Sequence, residues 1–269
     1  MNLQFHSAGG LLADLSLLHI ERAGPVVHLR LMRPAKRNAL NDELIAQLHT
    51  AFLHLPDSTR VAVISGDGEH FCAGLDLSDL SERSVAEGIA HSRRWHAVFD
   101  QIQFGRVPVI AVLHGAVVGG GLELASAAHL RVAECSTFYA LPEGQRGIFV
   151  GGGGSARIPR LMGVARMTDL MLTGRVLDAE EAQAAGLSHY LVGEGEGLAR
   201  AFALAEKVAS NAPLSNYAVM QALPRIAELP QAEGLFVEAL MSAIAQGDEA
   251  AKERVRAFLD KRAAKVSKL

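Results

Sequence analysis

The sequence predicts an α/β fold: a layered body of strands and helices followed by an all-helical segment. Two strand–glycine-turn–helix units carry the first part of that reading, and a hairpin pattern ahead of them supports it. Helical periodicity from Ser210 to Lys265 carries the second part. The body spans residues 1–205 and the helical segment residues 206–269, with no proline- or serine-rich linker between them.

The elements follow in order. Leu15–Glu21 and Val26–Leu31 are short apolar runs divided by Ala23-Gly24-Pro25, the pattern of a hairpin. Between Asn41 and Leu55 the residues Leu44, Ile45, Leu48 and Phe52 recur at helical spacing, with Asn41 placed to cap the first turn. Val61–Ser65 reads as a buried strand closed by the turn Gly66-Asp67-Gly68. Charges from Asp79 to Arg94 mark a solvated loop and helix. Val107–Leu113 is a second buried strand, and Arg131-Val132-Ala133 opens a third. The first strand leads to Phe71-Cys72-Ala73-Gly74-Leu75-Asp76-Leu77, and the second to Gly119-Gly120-Gly121-Leu122-Glu123-Leu124. Each passage reads as a glycine turn that starts an apolar helix. Farther on, turns fall near Pro213, Pro224 and Pro230, and Val255, Phe258 and Leu259 form a stripe among alternating charges.

Composition excludes several classes. At 269 residues and 49% hydrophobic, the chain has ample material for a full core and is not disordered. A net charge of −3 does not suit a surface built to wrap nucleic acid. The most apolar stretch, Val107–Gly121, is too short for a membrane span and is interrupted by His114 and several glycines. Met1–Gly10 lacks the basic start of a secretory signal. Cys72 and Cys135 cannot build a disulfide framework, and both read as core thiols in a cytoplasmic protein. Cys72 follows His70 by two residues, but adjacency in sequence is poor support for a nucleophile pair. The eleven histidines show no ligand spacing, so no metal site is expected. Phosphate-loop, dinucleotide, nucleophile-elbow and zinc-helix motifs do not occur.

What stands out is where the glycines fall. A glycine lets backbone N–H groups approach a ligand, and a helix N-terminus presents unpaired donors. If the N–H groups of Leu75 and Gly120 converge, they form an oxyanion hole, each donor worth roughly 3 kcal/mol of barrier. Otherwise these glycines serve only tight strand-to-helix packing. The run Gly151–Gly154 reads as a third close-approach turn, opening the helix that contains Leu161. Glu123 is the only Asp, Glu, Lys or Arg between His114 and His129. It is therefore expected to be buried one turn into an apolar helix, where it needs a partner or a proton. Glu143 reads either as a loop carboxylate bonded to Arg146 or as a carboxylate facing Glu123. In the second case the two titrate together and can act as acid and base on either side of a water.

Taken jointly, these motifs resemble the crotonase superfamily, and within it the enoyl-CoA hydratases, from about Leu15 to Lys265. The residues that carry the likeness are Arg33-Pro34, Asn38-Ala39-Leu40, Ala73-Gly74-Leu75-Asp76, Gly119–Leu124 and Leu141-Pro142-Glu143, continued by Thr173-Gly174-Arg175 and Ala184–Leu187. The resemblance implies a crotonase (ClpP/crotonase-like) fold, a spiral of ββα units whose helical C-terminal segment builds homotrimers, often paired into homohexamers. It implies a 2-enoyl-CoA hydratase that needs no cofactor, coenzyme A being part of the substrate. The N–H groups of Leu75 and Gly120 would hold the thioester oxygen. Glu123 would act as base towards water, Glu143 would supply the proton, and the Gly151 N–H would fix the water. Ala73, Gly74 and Asp76 would lie near coenzyme A, and Phe258 and Lys261 would reach its nucleotide end. Isomerisation or thioester hydrolysis on the same site, and a silent CoA-binding protein, are the alternatives. Ala128-His129, Phe138–Leu141 and Glu143–Gly151 depart from the usual short-chain enzymes. The last stretch is more similar to the branch that includes methylthioacryloyl-CoA hydratases, which makes Arg146 and Phe149 candidates for shaping the acyl pocket.

Overall fold

A computed structural model describes residues 3–79 and 83–262. The chain divides into two compact units, up to Lys207 and from Val208 onward. In the first unit the strands are β1 (His6–Ser7), β2 (Leu18–Ala23), β3 (Val26–Leu31), β4 (Val61–Gly66), β5 (Val109–Leu113), β6 (Ala116–Val118), β7 (Leu130–Glu134), β8 (Phe138–Ala140), β9 (Val176–Asp178) and β10 (Tyr190–Val192). Its helices are α1 (Asp42–Leu53), α2 (Val85–Gln103), α3 (Gly120–Ala127), α4 (Gly154–Met162), α5 (Val164–Thr173), α6 (Ala179–Ala185) and α7 (Gly197–Ala209), the last continuing two residues past the division.

Two sheets organise this unit. The larger runs β1-β2-β3-β4-β5-β7-β10, antiparallel through the hairpin and parallel from β3 onward. Its central strands are buried along their length, which is why β4 and β5 read as unbroken apolar runs rather than alternating ones. The smaller sheet is β6-β8-β9, parallel on one side and antiparallel on the other. The α/β, crotonase-type reading thus matches the architecture.

Several local expectations hold. Asn41 caps α1, its Oδ1 accepting from the Leu44 N–H at 2.9 Å. The run Gly151–Gly154 opens α4, which contains Leu161. Others need correction. Leu15–Leu17 lie outside the hairpin: the Leu17 N–H donates to Gln47 Oε1 at 2.8 Å, so the first strand begins only at Leu18. The Gly74 turn does not start a helix. Leu75 instead forms a parallel bridge with Leu40, followed by a short 3-10 turn at Leu77–Asp79. Part of the charged stretch read as solvated, residues 80–82, lies outside the described residues. From Val85 the stretch forms the expected helix, α2, whose start carries a reciprocal Ser84–Glu87 capping box and whose later turns bury Trp95, Val98, Phe99 and Ile102. Cys135 is exposed rather than a core thiol, whereas Cys72 is buried.

The second unit contains α8 (Pro213–Gln221), α9 (Leu223–Ile226), α10 (Gln231–Gly247) and α11 (Glu249–Leu259). Pro213 and Pro224 sit in the first turn of their helices and Pro230 caps α10, where a missing N–H costs nothing. The helical expectation extended to Lys265, but α11 ends at Leu259, Lys261 takes a left-handed φ of 56°, and residues 263–269 lie outside the described residues. Among the described residues no helix is long and apolar enough to cross a membrane.

Candidate active site

Glu123 sits one turn into α3 and is 3% exposed. The partners it requires come from the glycine run: the N–H groups of Gly152 and Gly154 both donate to its Oε1 at 2.8 Å. Only a glycine permits this approach at position 154, since a Cβ there would stand 2.8 Å from Glu123 Cγ. Burial raises the Glu123 carboxyl above its ordinary pKa, opposed by the N–H groups of Gly154, Gly152 and Gly151 and by the charge of Arg157.

Glu143 is bonded differently. It precedes the 3-10 turn Gly144–Arg146 and is buried. Its Oε1 packs over Gly119, where a Cβ would stand only 2.6 Å away, and among the described residues nothing bonds its Oε2. Burial pushes its pKa up to about 7, with Glu123 adding to the rise, while its own backbone N–H and the charge of Arg146 pull the other way. The Arg146 N–H donates to the Glu143 carbonyl at 3.0 Å, but among the described residues no side-chain bond joins the exposed Arg146 to the Glu143 carboxylate, so the loop-pair reading gives way to a carboxylate that senses Glu123.

The two glycine turns meet nearby. At the Leu40–Leu75 bridge the Leu40 N–H donates to Gly74 O and the Asp76 N–H to Leu40 O. Alternation along an extended chain therefore turns the Leu75 N–H to the other side. Gly120 is the first residue of α3, so its N–H has no intrahelical acceptor. A Cβ built on Gly120 would stand 3.4 Å from the Leu75 nitrogen, and one on Gly74 would stand 3.2 Å from the Gly120 nitrogen. Both donors belong to one cavity of about 330 Å³, whose lining also includes Glu123, Glu143, Gly151 and Phe149.

Helix α2 contributes a wall that sequence reasoning missed: Gly88, His91, Ser92 and Trp95 line the same cavity. Trp95, the single tryptophan, lays its ring edge beside Gly120 and Gly152, and its spacing with Phe99 was the available signal. His91 lies 3.2 Å from Asp42, and its pKa is lowered, first by burial and then by Arg83.

The other predicted residues are placed as follows. Arg146 does not line the cavity, whereas Phe149 stands 67% exposed at its edge. The Ala73 N–H donates to Arg37 O. Both Asp76 carboxylate oxygens have internal partners, Arg33 at 2.7 Å on one and the Ser78 hydroxyl at 2.7 Å on the other, and they hold its pKa down to about 2. Cys72 is fully buried with its thiol pushed up to about 12, which leaves no thiolate for a Cys/His nucleophile. Phe258 and Lys261 belong to the second unit, where both are exposed.

Comparison with known proteins identifies the family. The family model for enoyl-CoA hydratase/isomerase matches residues 21–268. The mitochondrial enoyl-CoA hydratase domain-containing protein 2 of Bos taurus is 36% identical over 250 residues, 89% of this chain and 84% of that protein. The 2,3-dehydroadipyl-CoA hydratase of Escherichia coli K12 is 33% identical over 250 residues, covering 92% and 97%. A crystal structure from Rhodopseudomonas palustris CGA009 superposes with a TM-score of 0.90 at 58% identity, covering 94% of this chain and 98% of that one.

Proposed function

Starting from the enoyl-CoA hydratase/isomerase family, to which this chain belongs, we propose that its site adds water across the α,β double bond of a 2-enoyl-CoA thioester. The observation that carries this reading is the unequal treatment of two carboxylates in one cavity. Burial raises the pKa of both, but Glu123 Oε1 is held by two backbone N–H donors that oppose the rise, while Glu143, raised to about 7, has a bare Oε2. One is suited to take a proton from water and the other to give one.

The chemistry follows from these positions. The N–H groups of Leu75 and Gly120 hold the thioester oxygen and stabilise the negative charge that develops there. Glu123 takes a proton from water as the water oxygen bonds to the β-carbon. The displaced π electrons pass through the α-carbon to the thioester oxygen as an enolate. The enolate collapses as Glu143 delivers its proton to the α-carbon. Glu123 ends protonated and Glu143 ionised, and exchange with solvent restores both.

On this reading Ala73 and Gly74 border coenzyme A near the thioester. Phe258 and Lys261 are assigned to its nucleotide end, and the second unit to association into a homotrimer or homohexamer, which light scattering tests directly. The activity is tested by mixing the protein with crotonyl-CoA and a panel of longer and branched enoyl-CoAs. Loss of the enoyl-thioester absorbance with a mass gain of one water supports hydration. A positional isomer or free coenzyme A assigns isomerase or hydrolase activity instead, and no turnover across the panel refutes the reading.

A further inference from the structure

Four consecutive glycines, Gly151–Gly154, have no side chains of their own with which to hold a conformation, yet two of their N–H groups must converge on one oxygen of Glu123. Something outside the run has to fix it. From α4, the buried Arg157 donates through one terminal nitrogen to the Gly152 carbonyl at 3.0 Å. Its remaining donors reach back to α2, Nε to Gln103 Oε1 and the other terminal nitrogen to Asp100 Oδ1, both at 2.6 Å. The guanidinium is thus a rigid brace between α2 and the loop, with all three arms engaged.

We propose that Arg157 is the positioning residue for Glu123: it locks the Gly152 carbonyl so that Oε1 is held and Oε2 is left as the proton acceptor facing the cavity. The inference rests on the hydratase reading for Oε2's task, but the brace itself is independent of it. The brace also sets charge. Around Glu123 the ionisable groups are Glu143 across the cavity, Arg83 and His91 from the α2 side, and Arg157 with Asp100 behind it. Among these Arg157 is the cation that stabilises the ionised carboxylate.

The test separates geometry from charge. Arg157→Met is expected to lower kcat about tenfold or more with KM within about twofold, and to move the acid limb of kcat/KM up by about one pH unit. Arg157→Lys keeps the charge but not the three-way geometry, so it restores the acid limb and not kcat. The Glu123 titration is read directly by carboxyl-13C NMR on glutamate-labelled protein, assigned by the signal lost in Glu123→Gln. That readout stands even if no enoyl-CoA is turned over, so failure of the hydratase reading and failure of this one are distinguishable. If Arg157→Met does not fold, Gln103→Ala loosens the brace without changing charge and is expected to lower kcat severalfold with the acid limb in place. A folded Arg157→Met with wild-type kcat and an unmoved Glu123 titration overturns the proposal, as does a Gln103→Ala enzyme with wild-type kcat where it carries the test.

Discussion

Ser92 and Gly151 meet across the cavity wall, the serine hydroxyl donating to the glycine carbonyl at 2.5 Å. This contact ties α2 to the first residue of the glycine run, one residue before the carbonyl that Arg157 holds. Ser92→Ala is expected to lower kcat by about threefold to tenfold and to cost about 1 kcal/mol of stability, the net worth of one hydrogen bond. Steady-state kinetics with a thermal melt on the same preparation checks both. An unchanged kcat would show that the run holds its shape without α2.

The two glutamates give a pH profile with a definite sign. Glu143 must carry its proton, so activity in the hydration direction falls as pH rises past about 7, the value to which burial pushes it. Glu123 must be ionised, so activity also falls on the acid side, below its raised pKa. The kcat/KM profile is therefore a bell whose limbs belong to the coupled pair. Glu123→Gln and Glu143→Gln should each lower turnover by orders of magnitude while a CoA ester still binds, which calorimetry can follow. A flat profile between pH 6 and 8 would contradict the assignment of Glu143.

Gly154 offers a steric test of the carboxylate seat. Its alanine Cβ would press on Glu123 Cγ at 2.8 Å and Oε1 at 2.9 Å, with Ile158 Cδ1 at 3.1 Å. Gly154→Ala is expected to behave like a partial loss of Glu123: kcat reduced at least about tenfold, KM changed less. A crystal structure of the variant should show the carboxylate displaced. Wild-type turnover would mean that this hydrogen bond is dispensable.

Two histidines, the buried His28 and the half-buried His129, contribute to the acid sensitivity of the fold. His28 lies between Glu21 at 3.0 Å and Ser65 at 2.8 Å, and His129 between the Val109 N–H and the Gln103 carbonyl, both at 3.0 Å. Burial lowers both pKa values, that of His129 to about 4. The unfolded chain therefore binds protons that the folded one refuses between about pH 6.5 and pH 4. Stability is full above that window and declines as pH falls through it. Chemical denaturation at a series of pH values should show the decline, smaller in His129→Gln. Equal slopes in both proteins would remove His129 from the account.

Much of the layout was legible because single residues announce it. A lone carboxylate in an apolar helix, as at Glu123, has few physical solutions, and a β-branched run such as Val61–Ser65 has one obvious use. The glycine run was readable as a close approach because its flanks are apolar. Other elements were hidden for equally physical reasons. The first turns of α2 carry charges that face solvent, so a window over Asp79–Arg94 shows a solvated loop and helix but not that Trp95, next in line, turns inward as a wall of the cavity. The strands β6, β8 and β9 have three residues each, too few for any period to emerge. Gly74 and Gly119 look alike in sequence, yet only the second begins a helix, because Leu75 is claimed by Leu40, a partner distant in the chain.

The pairing of Leu75 and Gly120 has a consequence for how such a scaffold can drift. Both donors are main-chain amides, and no codon change other than one to proline deletes an amide hydrogen. Residues such as Phe149 and Ile148, by contrast, present side chains to the cavity and are open to every substitution. A lineage built on this arrangement can therefore rewrite its taste for acyl groups one missense change at a time while its charge-stabilising apparatus is passed on intact.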